Sequence, residues 1–286
     1  MLREVVQHLE LEPGLVVLDG TVGGGGHSRK ILDEIGPAGR LIGLDRDASM
    51  LVKAQTVLQN PNVILVHQSY ADARSVLDQL GLDRVDRILV DLGLSSDQLA
   101  DQSRGFSFES AGPLDMRFDA TNGQPAWQLL ADWDEAFITS VLDEFGEEPH
   151  SRRIAAAIVE HRAKEPIRTA RDLAKVVRRV VGSKGPRDRD PATRTFQALR
   201  IAVNRELEQL TEALHDTFPL CLKSGGLLAV ISFHSLEDRL VKEAFRERVT
   251  WAELTPKPIE PTPAEVRFNP RSRSAKLRIA RRAGAP

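Results

Sequence analysis

Three aspartates in this chain each close a short apolar run. Asp19 follows LVVL (15–18), Asp45 follows RLIGL (40–44), and Asp91 ends RILVD (87–91). Between the first two lie Gly20 and Gly23 to Gly26, five glycines within seven residues, and then His27 and Ser28, which can open a helix. An acid at the end of a buried strand, bare backbone, then a helix start is how an open α/β sheet cradles a ligand. Glycine suits the loop because it tolerates φ > 0 and lets a ligand approach the backbone closely. Asp45 stands roughly 20 residues past the loop, where a nucleoside ribose commonly finds its carboxylate. A nucleoside cofactor is therefore expected. A second cluster, SFHSLEDR (232–239), gathers Ser232, His234, Ser235, Glu237 and Asp238 at another strand end. No G-x-S-x-G elbow surrounds either serine, so a Ser-His-Asp hydrolase is not expected. Two readings of that cluster stay open: Ser235 as a helix N-cap with Asp238 in the first turn, and a substrate contact through His234. His8, His67, His150, His161 and His215 lack ligand spacing, and no metal is expected.

These residues need a scaffold, and the hydrophobic periodicity supplies one. Helical patterns over 2–12, 28–35, 48–58 and 71–80 alternate with apolar runs at 15–18, 40–45, 63–67 and 87–93. Such alternation predicts a parallel, doubly wound sheet. The rhythm then breaks, with no convincing strand between Ser95 and about Arg200. Residues 101–123 read as loop, and helices are expected near 134–145, 152–164 and 170–181, with Ser151 and Thr169 as N-caps. Asp190-Pro191 would start a long helix into the 200s. The sheet resumes at 227–233, a helix follows over about 236–248, and KLRIAR (276–281) alternates as a last edge strand. The expected organisation is a discontinuous domain, 1–100 and 201–286, carrying an inserted helical domain, 101–200.

Composition bounds the class. The 286 residues are 41% hydrophobic and 28% charged, ordinary for a globular protein. No run of ~20 apolar residues predicts a membrane span, and MLREVVQHLELE has no signal-peptide core. The single cysteine, Cys221, excludes a disulfide framework. A cytoplasmic protein is expected. Net charge is −2, yet Val266 to Pro286 holds seven arginines and lysines and no acid. Local charge, not the overall balance, is what meets a phosphate backbone.

Both NAD and S-adenosylmethionine suit a glycine loop followed by an acid. NAD's pyrophosphate usually takes G-x-G-x-x-G. Here Gly20, Gly23 and Gly25 do not fit that spacing, and Gly23, Gly25 and Ser28 fit it only loosely. The dense run Gly23 to Gly26 suits the methionine end of S-adenosylmethionine better, as does a third acid, Asp91, beside a cationic group.

The order DGTVGGGGHS, GLDRD, ILVDLGLSS, RGFSF, GPLDMRF, DPATRTFQALRIAVN and SFHSLEDR closely resembles the bacterial 16S ribosomal RNA cytosine-N4 methyltransferases, from Gly14 to Arg282. RGFSF, ATRTFQALR and SFHSLEDR are far more specific than the glycine loop. The resemblance implies a Rossmann-like class I methyltransferase sheet with an inserted all-helical domain, S-adenosyl-L-methionine as cofactor, and a decoding-site cytosine (position 1402 in the usual RNA numbering) as target. It also implies that Gly25, Gly26 and His27 hold the methionine end, Asp45 the ribose and Tyr70 the adenine, with Asp91 and Gln98 completing the pocket. The family's longer leader, with a His-x-Pro-Val segment, is not in this sequence, and two expectations stay open: a shortened start, or loss of any contact made by that leader. A homodimer is plausible for the family.

An exocyclic cytosine amine is a poor nucleophile because its lone pair is delocalised into the ring. It needs an acceptor and in-line positioning. Asp91, in DLGLSS, is the candidate acceptor as well as a cofactor candidate, and the sequence does not separate the two roles. Methylation at C5 would need a cysteine nucleophile; Cys221, in the apolar FPLCLKSGG, reads as a buried structural thiol. For RNA, Arg194 and Arg200, with Lys184, Arg187 and Arg189 before them, form one basic run, and Arg271, Arg273, Lys276 and Arg278 form another. Phe106, Phe108 and Phe196 are candidates to stack on a splayed base, although core packing is the commoner fate of phenylalanine. Against this reading stand an NAD-dependent oxidoreductase and a non-catalytic RNA-binding assembly factor for the 30S subunit.

Overall fold

The structure, a computed structural model, describes residues 1–182 and 190–284. Lys184, Arg187 and Arg189 lie outside the described residues. Seven strands among the described residues form one sheet: β1 (Val16–Asp19), β2 (Arg40–Asp45), β3 (Val63–His67), β4 (Val85–Asp91), β5 (Leu222–Ser232), β6 (Trp251–Glu253) and β7 (Lys276–Arg282). Their order is β3-β2-β1-β4-β5-β7-β6. The first five run parallel, and β7 lies antiparallel between β5 and β6. This is an open, doubly wound Rossmann-like sheet. The central strands are buried on both faces, which explains why they read as continuous apolar runs rather than alternating ones.

Two corrections to the expected elements concern the sheet. KLRIAR is not an edge strand: Lys276 to Arg281 pair with β5 on one side and Ala280 to Arg282 with β6 on the other. β6 itself is three residues long, too short to leave a periodic signal. β5 also starts five residues early, at Leu222, with a register irregularity against β4 between Val85 and Arg87.

Two compact units emerge: Met1–Gly93 with Leu207–Pro286, and Leu94–Glu206. In the first, α1 (Leu2–His8), α2 (Gly26–Ile35), α3 (Ala48–Val57) and α4 (Ala73–Gln79) precede or alternate with the strands. Side chains such as Val17, Ile31, Leu41 and Leu89 form one apolar layer, and Leu18, Ile42, Ile88 and Phe218 another. The chain leaves β1 toward β3 and returns to β4, so the strand order reverses between β1 and β4. Ligands of open α/β sheets lie in the crevice outside the carboxyl ends of the strands at such a reversal. Asp19 ends β1 and Asp91 ends β4.

The second unit contains α5 (Ser96–Ala100), α6 (Ala126–Asp132), α7 (Glu135–Gly146), α8 (Ser151–Arg162), α9 (Ala170–Val181) and α10 (Thr193–Asn204). Its core includes Phe106, Leu142, Ile158, Leu173 and Leu199. Thr169 caps α9 through a reciprocal box with Asp172. Ser151 is instead the first residue of α8, with His150 at the N-cap. Asp190 accepts from the Ala192 amide at 2.8 Å, just ahead of α10.

The specific motifs RGFSF and GPLDMRF prove to be two halves of one clamp in this unit. The Arg104 guanidinium donates to the carbonyls of Arg117 (2.6 Å) and Phe118 (2.8 Å). Gly105 has φ +69°, and a Cβ there would lie 2.4 Å from the Pro113 carbonyl oxygen, so no other residue fits. The buried Asn204 amide donates to the Met116 carbonyl and accepts from the Phe118 amide, both at 2.7 Å. The remaining helices, α11 (Glu206–Glu212), α12 (Phe218–Cys221), α13 (Ser235–Phe245) and α14 (Pro263–Phe268), follow the insert. No helix among the described residues is long and apolar enough to cross a membrane.

Candidate active site

The glycine loop is held from both sides by the strand-end acids. Asp19 is buried, and its two oxygens accept from the Thr21 amide (3.2 Å) and the Ser28 hydroxyl (2.6 Å), pinning the start of the loop to the first turn of α2. Asp45 accepts from the Gly23 amide and the Asp47 amide, both at 2.8 Å. The loop crosses to β4 through Thr21, whose hydroxyl accepts the Asp91 amide at 2.6 Å, and through the Gly20 amide on the Leu89 carbonyl. Gly20 must be glycine: a Cβ would stand 2.8 Å from the Tyr70 Cβ. Gly25, at the N-cap of α2, has φ +86°. Gly26 differs from both, because a Cβ on it would meet nothing within 4 Å. One face of the loop is thus open backbone.

The charged side chains around that face are under-compensated. Burial pushes the Asp91 carboxyl up to about 7, with the Glu237 charge adding to it and the Met1 ammonium opposing. Burial raises Asp19 and Asp45 to about 6 each, against the hydrogen bonds they accept. Burial lowers the proton affinity of His27, although Asp19 pulls the other way. His27 Nδ1 lies 3.4 Å from Asp91 Oδ2. Asp91 keeps 30% of its side-chain surface exposed, yet its Oδ1 is sealed from solvent without a hydrogen-bond partner, as is His27 Nε2. A buried polar atom left unpaired costs about 1–3 kcal/mol, and a cationic group bound beside the exposed part of the Asp91 carboxylate would offset part of that cost.

At the end of β5 the observed cap differs from the expected one. His234, not Ser235, is the N-cap of α13, and its Nδ1 accepts from the Glu237 amide at 3.4 Å. The buried Glu237 carboxylate in turn accepts from the amides of Phe233 (2.8 Å) and His234 (3.3 Å). His234 Nε2 lies 3.1 Å from Glu237 Oε1. One nitrogen of His234 is therefore engaged in capping. Burial pushes the Asp238 carboxyl up, but the Arg278 and Lys276 hydrogen bonds outweigh it and hold it below its ordinary range.

Gly25, Gly26, His27, Asp45 and Asp91 are brought together through the loop, and Tyr70 joins them by its contact with Gly20, its ring 6.1 Å from that of Phe218. Gln98 belongs to the helical unit and is spent on a capping box with Ser95 at the start of α5. Thr21 carries no sequence signal as a site residue and Ser28 reads only as a helix opener, whereas Glu237 stands in the SFHSLEDR cluster at capping-box spacing from His234.

The basic candidates divide sharply. Arg200 holds Glu206 through two hydrogen bonds of 2.8 and 3.0 Å, with its side chain only 14% exposed, which corrects its assignment as a phosphate contact. Arg194 donates to the Glu147 carbonyl at 2.7 Å. Lys276 and Arg278 share one ion-pair partner, Asp238, at 3.0 and 2.7 Å. Arg271 and Arg273 are exposed. Phe106 packs on Phe118 and Phe108 on Phe196, inside or against the helical core, the commoner of the two fates expected for these phenylalanines. Cys221 is buried, and desolvation pushes its thiol up to about 11.

Comparison with known proteins gives this site its context. A family model described as the MraW methylase family matches residues 1–283. The chain belongs to the MraW methylase family. Among curated relatives, one from Thermomicrobium roseum is 46% identical, with 93% of this chain and 87% of that protein covered. Another from Rhodopirellula baltica is 46% identical over 99% of this chain and 90% of that protein. A third, from Chromobacterium violaceum, is 45% identical over 100% and 95% respectively. All three are named ribosomal RNA small subunit methyltransferase H. A methylase of this family and fold uses S-adenosylmethionine, and the loop fits it. The open Gly26 backbone admits a close approach, and the under-compensated Asp91 carboxylate suits a group that is cationic at its methionine end.

Proposed function

We propose that this chain methylates the N4 amine of a decoding-site cytosine in 16S rRNA of the small ribosomal subunit. The substrate class rests on the names of relatives 45–46% identical over nearly their whole length. The chemistry rests on one observation, the sealed and unpartnered Oδ1 of Asp91 at the switch point of the sheet. S-adenosylmethionine supplies an electrophilic methyl group. An N4 amine would supply the lone pair that takes this methyl group and would shed one proton.

Asp91 is the acceptor for that proton in this proposal. Its carboxylate also favours the amine geometry in which the lone pair points at the methyl carbon. Gly25, Gly26 and His27 bind the methionine end. Asp45 takes the ribose hydroxyls with the lone pairs that the Gly23 and Asp47 amides leave unused. Tyr70 faces the adenine. The helical unit Leu94–Glu206 serves substrate recognition. A C5 reaction finds no nucleophile in Cys221, whose buried thiol stays protonated at neutral pH.

The test is methyl transfer from labelled S-adenosylmethionine to 30S subunits lacking the modification, with the product nucleoside identified by mass spectrometry. N4-methylcytidine in the decoding region is the expected product. No label in 30S, 16S RNA or 70S particles, with cofactor binding intact, would overturn the substrate assignment.

A further inference from the structure

The aromatic side chain most open to water is Phe268, at the end of α14 and 88% exposed. Burying a phenylalanine stabilises a chain by roughly 1.5–3 kcal/mol, so one left outside invites a partner. Its neighbours indicate which. Arg267 precedes it, and the turn Pro270–Ser274 carries Arg271 and Arg273. Ser272 between them is buried and its hydroxyl donates to the Asn269 carbonyl at 2.7 Å, which anchors the turn. All three arginines are exposed, and among the described residues none has an ion-pair partner. The nearby acids are already occupied, Glu265 by the Met1 ammonium and Asp238 by Lys276 and Arg278. The same helix is tied to Met1 through Glu265 at 3.0 Å, and Met1 belongs to the apolar cluster that also holds Val22 of the glycine loop.

We infer that Phe268, with Arg267, Arg271 and Arg273, forms a stacking platform for single-stranded RNA beside the active site. An unpaired base lies on the phenyl face while the guanidinium groups take flanking phosphates, the combination by which proteins hold unpaired nucleic acid. The inference rests on the proposed RNA substrate and adds to it a place where a nucleotide neighbouring the target is held.

The experiment compares wild type with Phe268→Ala, Phe268→Leu and Phe268→Trp in two assays. One is methyl transfer to unmodified 30S subunits; the other is fluorescence anisotropy with a labelled single-stranded fragment of the decoding region. A lost stack weakens binding by about five- to hundred-fold. The expected result is a rise of that order in KM and in RNA Kd for Ala and Leu, with kcat and cofactor Kd unchanged, and recovery with Trp. Wild-type RNA affinity in Phe268→Ala would overturn the platform even if methylation proceeds normally. So would full function in Phe268→Leu, which points to an apolar protein contact, or a change in oligomeric mass, which points to a second copy. If wild type methylates no ribosomal RNA, the substrate proposal fails, and the anisotropy comparison still decides whether the platform binds RNA.

Discussion

Replacing Gly26 by alanine separates what the fold needs from what the cofactor needs. Gly26 is the first residue of α2, its φ is not positive, and an added Cβ meets nothing within 4 Å. The fold should therefore accept alanine without strain. Alanine is favoured over glycine in helices by up to about 1 kcal/mol, less at the first position, so about 0.3–1 kcal/mol of stabilisation is expected. In a domain of this size that is a rise in Tm of roughly 1–4 °C. The cofactor meets the opposite effect. In the proposed cradle the Cβ would occupy the space through which the methionine end approaches the backbone, and overfilling a close contact costs about 1–3 kcal/mol. Kd for S-adenosylmethionine should rise about 5- to 150-fold. Gly25→Ala gives the contrast: its φ of +86° and a Leu58 carbon at 3.2 Å make alanine strained, so Tm should fall as well. Thermal unfolding paired with isothermal titration reads both quantities. Gly26→Ala with a wild-type Kd would refute the cradle, because the open backbone would then face no ligand.

Two further outcomes follow from the same geometry. Because burial raises Asp91 from 3.8 to about 7, the folded cofactor-free protein keeps a proton that the unfolded chain has lost between about pH 4 and 7. The stability this contributes is complete below about pH 4 and disappears as pH rises through 7. Asp91→Asn ends that titration, so its stability relative to wild type should climb between pH 4 and 8. The limit is about 4 kcal/mol, and less because the carboxyl keeps 30% of its surface in water. Urea denaturation at paired pH values measures it, a flat difference refutes it, and methyl transfer should fall at least ~100-fold in the same variant. The basic residues should also separate. Arg200→Ala leaves the nearly buried Glu206 carboxylate unpaired and should cost about 2–5 kcal/mol of stability. Arg271→Ala and Arg273→Ala should leave Tm unchanged and each reduce the salt slope of RNA binding by about 1. Equal losses of stability in all three would contradict the contrast in burial.

The local features of this protein were legible in its residues because they depend on near neighbours. Apolar runs ended by Asp19, Asp45 and Asp91 mark strand ends, and a loop with Gly20 and Gly23 to Gly26 can only be bare backbone. The quoted motifs carried the family, which the match over residues 1–283 bears out. What the residues left open was decided by partners distant in the chain. Strand order puts Asp19 and Asp91 on either side of the reversal point, and packing strips one oxygen of Asp91 of any partner. Lys276 and Arg278 look like Arg271 and Arg273 in sequence, yet Asp238, 38 and 40 residues away, ion-pairs with the first two. β6 is held by its pairing with β7 and by buried Trp251, neither of which leaves a periodic trace in three residues. Periodicity records which side of an element is buried; it does not record which charges meet. That was settled only by the folded register, because Coulomb and hydrogen-bond energies depend on distance in space rather than along the chain.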